Sequence, residues 1–326
     1  MAAFALVLAL LIWTTLRIGV AIHESSHLLV SGLFGASLKG IKVPAFGDGY
    51  GNFSFAPAVG RLPRFLSLAV GPVSQVVGGL TALALSRRVV RRRWLELFLV
   101  VYGAANLLFG LQYAASGLYS AYGDPGFALI VLLPPCEPNA LNLLTWTLVV
   151  VIESAILVSS YVLARRYLAV QDRWFPVATV GARLRVATLT AVPAVVTFVA
   201  VFVLASLGTP NFFFGSDPRW NVPARDYRIA ALMSADGATG STPAAACQRA
   251  VDSYVNQLIG DREQIHSSTV EQLQAQGVRP PPTGRVPLLA VSAGLVTVGA
   301  GAALLRTRRR RTRDDERDLR VGVRHD

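Results

Sequence analysis

His23 and His27 stand four residues apart with Glu24 beside the first, in the run His23-Glu24-Ser25-Ser26-His27. On a helix, positions i and i+4 share a face, so both imidazoles can hold one metal ion, at about 2.0 to 2.1 Å if it is Zn2+. Glu24 is then placed to take a proton from a metal-activated water and pass it to a leaving group, which is the chemistry of metal-assisted hydrolysis. The chain has only 4 histidines, and the pattern should arise by chance in roughly one such sequence in a thousand. The bland alternative is a set of polar residues on a helix near a membrane surface. Three ionisable groups in an apolar helix are expensive without a task, which favours the chemical reading.

The elements that must carry these residues are apolar. Of 326 residues, 53% are hydrophobic and 15% charged, and the mean hydropathy is +0.48, a balance foreign to soluble domains. Several runs can cross a hydrocarbon layer roughly 30 Å thick, and about six passes are expected. They are residues 3–34, 63–86, 94–119, 140–164, 186–207 and 286–305. The expected fold is therefore an all-α integral membrane protein. A short β-hairpin should follow the first helix, because partly alternating residues at 41–57 flank Asp48-Gly49. Residues 127–135 are too few to cross and read as a continued or re-entrant helix, and 167–184 read as interfacial.

The organisation that follows is a metal-bearing core at 1–136, additional membrane helices at 137–207, a polar module at 208–285, a last membrane helix at 286–305 and a basic tail at 306–326. The net charge of +12 is almost wholly arginine, clustered at the ends of apolar runs: 87–93, 165–166 and 306–311. That is the mark of the positive-inside rule and argues for a lipid bilayer as partner and against nucleic acid. With the clusters in the cytoplasm, the chain is a multi-pass cell-membrane protein whose hairpin, Asp124 and 208–285 module lie outside. Cys136 and Cys247 share that oxidising side, so a disulfide between them is expected.

A third metal ligand can come from Asp124 or Glu153. His23 lies about 20 residues into the first span, near the membrane face where the third span ends, and Asp124 is at that depth. Glu153 lies near mid-membrane, where an ion pair with Arg17 is its simpler role. Asp124-Pro125 also fits a helix start. Tyr113, Tyr119 and Tyr122 are expected to be interfacial anchors.

With these pieces in order, the first 135 or so residues resemble the site-2 protease family of intramembrane zinc metalloproteases. The matching elements are His23-Glu24-Ser25-Ser26-His27, the hairpin at 41–57, Gly71-Pro72-Val73-Ser74-Gln75, and Asn106 followed by Asp124. Gln75 stands where that family usually has asparagine, and Asp124-Pro125-Gly126 replaces its usual Asp-Gly. The resemblance implies a zinc endopeptidase acting on a membrane protein substrate, with His23, His27 and Asp124 on the metal and Glu24 as the catalytic residue. A non-catalytic metal-binding scaffold or chaperone and a metal transporter stay open, although neither needs Glu24.

Overall fold

A computed structural model describes the chain except residues 44, 46–48, 57–58, 121–122, 133–137, 178, 208–290 and 304–326. The expected disulfide, the polar module, the basic tail and Tyr122 lie outside the described residues. Among those described, four helices are long and apolar enough to cross a membrane: α1 (Ala2–Leu33), α2 (Arg61–Ser86), α3 (Arg93–Ser120) and α5 (Pro138–Trp174). The short α4 (Gly123–Leu132) falls between the last two, and α6 (Val180–Leu207) and α7 (Val291–Ala303) follow. This is the composition of a membrane protein.

The first helix ends sharply because Gly35 adopts φ +76°, a conformation that favours glycine. Gly35 N–H donates to Gly32 O and Ala36 N–H to Ser31 O, both at 3.0 Å, the paired bonds that close a helix on a left-handed residue. The chain turns at once into β1 (Ser37–Lys42), which pairs antiparallel with β2 (Tyr50–Ser54). The hairpin expected at 41–57 is thus present, with its first strand starting earlier and ending just before Pro44.

Packing reverses the polarity of a soluble protein. Leu6, Leu10, Leu29, Val77, Leu143 and Val158 face outward, while Thr15, His23, Glu24, His27, Gln75 and Asn106 are buried. In hydrocarbon the outward face gains nothing from polarity, so polar groups gather where they can bond to one another. Helix α2 packs along α3, α1 lies against both, and α4 fits between α2 and α3. At the α2–α3 crossing the backbones touch: a Cβ on Gly79 would lie 2.9 Å from Leu107 N, and one on Gly103 would lie 3.0 Å from Gly79 O. Small residues allow that approach.

Two expectations change at α5. Its helix runs to Trp174, so residues 167–174 continue a helix long enough to extend past the hydrocarbon rather than lying along the interface. There Arg166 bonds to Glu96 on α3 at 2.7 Å and to Ser86 O at 2.8 Å, and Arg173 reaches the same fully buried carboxylate. The expected Arg17–Glu153 pair is also not formed. Glu153 Oε1 accepts from Ser292 Oγ of α7 at 2.7 Å, because α5 packs on α3 and turns this residue towards α7.

Candidate metal centre

His23 and His27 lie one turn apart near the end of α1, on the side that meets α2 and α4. Their rings stand at 74° with centroids 4.7 Å apart. Each ring is held through Nδ1 by a different part of α2. His23 Nδ1 donates to Gln75 Oε1 at 3.2 Å, and His27 Nδ1 donates to the carbonyl of Ser67. Because both acceptors take the Nδ1 proton, each neutral ring keeps its lone pair on Nε2. Pro72 within α2 brings no backbone N–H, which leaves one donor fewer in this stretch of the helix.

Both Nε2 atoms face Asp124, in the first turn of α4. Asp124 Oδ2 is 3.1 Å from His23 Nε2 and 3.2 Å from His27 Nε2. All three residues are buried, and one ligand atom from each lies within 4.8 Å of the others. Two lone pairs and a carboxylate oxygen converging on one point repel one another unless a proton or a metal cation lies between them. Ligand atoms around a tetrahedral ion at about 2.0 to 2.1 Å are roughly 3.3 Å apart, close to the two distances from Asp124 Oδ2 to the imidazole nitrogens.

The space between the ligands is kept open by Gly71. A Cβ at this position would lie 2.4 Å from His27 Nε2 and 2.5 Å from His23 Nε2, nearly where an ion bound to both would sit. Donor set, tautomers and cradle therefore fit a metal ion. Of the two candidates for third ligand, Asp124 joins the histidines. Glu153 is bonded to Ser292 and is not part of the group.

Glu24 follows His23 by one residue, about 100° around the helix, so it points away from Gln75 and towards the hairpin. It is buried, and β2 passes over it: a Cβ on Gly51 would lie 3.4 Å from Glu24 Oε2 and 3.2 Å from Glu24 O. Phe53, on the same strand, stacks on His27 at 6.4 Å. The hairpin thus closes the side of the site that the helices leave open.

Asn106 lies elsewhere. Its amide donates to Thr15 O at 3.1 Å and Tyr102 O at 3.0 Å, locking α3 to α1 a turn or more before the histidines. Tyr113, expected as an interfacial anchor, instead points inward. Its hydroxyl donates to Asp124 Oδ2 at 3.1 Å and accepts Asp124 N–H at 3.2 Å. Its ring meets His23 edge-on at 5.8 Å. Ser67 and Phe53 were likewise not singled out by the sequence, since a backbone carbonyl and a strand aromatic carry no motif.

No protein-family model matches the chain, and neither does any curated protein or solved structure.

Proposed function

We propose that the protein is a zinc-dependent endopeptidase of the site-2 protease type, cleaving peptide bonds in or beside the membrane. The observation that carries this reading is the convergence of two Nδ1-anchored histidines and Asp124 on one buried point, with Glu24 buried one residue from the first ligand. Two imidazole nitrogens and one carboxylate oxygen suit Zn2+, whereas Ca2+ and Mg2+ prefer oxygen alone. Three protein ligands are the usual number at a catalytic zinc, which keeps a position for water or substrate. When bound, the ion would polarise the scissile carbonyl and activate the attacking water.

Glu24 takes one proton from that water as the new C–O bond forms, then delivers it to the leaving amine nitrogen as the C–N bond breaks. His23, His27 and Asp124 would hold the ion, and a bound ion would keep all three deprotonated. The strand β2 beside Glu24 offers an edge on which an unwound substrate can extend, because a peptide bond inside a transmembrane helix is shielded from attack. In this reading the whole chain crosses the membrane six times. The 208–285 module lies outside the cytoplasm and selects the substrate.

Glu24→Gln tests the reading. It keeps size and hydrogen bonding but cannot accept the water's proton. Cleavage of a membrane-anchored reporter should fall about 10² to 10⁴-fold while bound zinc, measured by elemental analysis, stays near one per chain. Cleavage at the parent rate would remove the hydrolytic mechanism. Bound zinc with no cleavage by the parent protein in any membrane tried would favour the scaffold or transporter reading.

A further inference from the structure

The third ligand is the least secured by its own backbone. Histidines 23 and 27 belong to a 32-residue helix, whereas Asp124 sits in the first turn of a helix of 10 residues. An aspartate there can present either oxygen and can rotate away from the ion. One contact that restrains it is reciprocal: the Tyr113 hydroxyl donates to Oδ2 and accepts the backbone N–H of the same residue. One phenol oxygen therefore fixes both the side chain and the start of α4 relative to α3.

Tyr113 also makes ring contacts on α3 and α1. Its ring lies parallel to Phe109, at 1° and 6.4 Å, and its edge meets His23 at 5.8 Å. The oxygen it bonds is the one that lies 3.1 and 3.2 Å from the two imidazole nitrogens. We infer that Tyr113 is a positioning residue of the metal centre, choosing Asp124 Oδ2 as the ligating atom and holding it at the distance the histidines require. The inference rests on the metal-centre reading. By donating to that oxygen, the phenol would also draw charge from the carboxylate and so tune the Lewis acidity of a bound ion, as outer partners of metal ligands do.

The test uses the full-length protein in detergent, with zinc affinity measured by chelator competition and the ligand field by the visible spectrum after Co2+ replacement. Tyr113→Phe should weaken zinc binding about 10 to 100-fold and alter the Co2+ spectrum. Phe109→Leu, which removes the stacking ring but keeps the hydroxyl, should bind as the parent does. Parent-like affinity and spectrum in Tyr113→Phe would overturn the inference. So would equal losses in the two variants, which would assign the effect to ring packing. Failure of the parent protein to bind zinc at all would instead remove the metal-centre reading.

Discussion

At the scale of single residues, the decisive side chain is one that is missing. Gly71→Ala places a methyl group 2.4 and 2.5 Å from the two imidazole nitrogens, too close for an ion to be bound by both. It should abolish metal binding with the helical circular dichroism intact, and one bound metal per chain in this variant would refute the placement of the ion. Gln75→Leu acts more mildly by leaving His23 Nδ1 without an acceptor. Metal affinity should fall about 10 to 100-fold, as measured by competition with a chelator. These residues were unequally legible in the sequence. His23, Glu24 and His27 lie within about one helical turn, so spacing alone relates them. Asp124 could be reached by counting depth through three spans. Tyr113 could not, because it lies on α3 and Asp124 on α4, and no periodicity relates residues of two separate helices.

At the scale of elements, two contacts keep the helices in register, one at the α2–α3 crossing and one at Glu96. Gly103→Leu would push a side chain into Leu83 and Gly79 O, where even a Cβ lies within 2.6 and 3.0 Å. Overpacking of this kind should destabilise by about 1 to 3 kcal/mol, read as a lower thermal midpoint in detergent. Far from the metal, Glu96 receives both Arg166 and Arg173 and is fully buried. Glu96→Leu leaves two arginines without their shared partner, which should destabilise by about 3 to 5 kcal/mol, whereas a loss under 1 kcal/mol would mean that the cluster is solvated. Hydropathy located α1, α2 and α3 within a few residues because bilayer thickness dictates the length of a span, but it ended the next span at 164, where α5 continues through polar residues to Trp174. It gives the height of a residue but not the direction it faces. That is why Glu153 was matched with Arg17 by depth, yet turns to Ser292 on α7.

At the scale of the whole molecule, the polarity of the surface and the ends of the helices define an orientation that can be measured. Single cysteines at 91 and 165 should react with a membrane-impermeant reagent only after the cytoplasmic side is opened, and a cysteine at 39 without that step. The reverse labelling would invert the topology while leaving the metal centre as described. The position of that centre has a kinetic consequence. Leu33, the last residue of α1, lies six residues beyond His27, so about 9 Å of helix separates the second histidine from the end of its span. The outward neighbours Leu29 and Leu33 present hydrocarbon to the surroundings. On the hydrolytic reading, every turnover consumes a molecule of water at that depth. Water is then a second substrate in short supply, and a membrane-excluded osmolyte that lowers its activity should slow cleavage more here than in a hydrolase whose cleft opens to solvent.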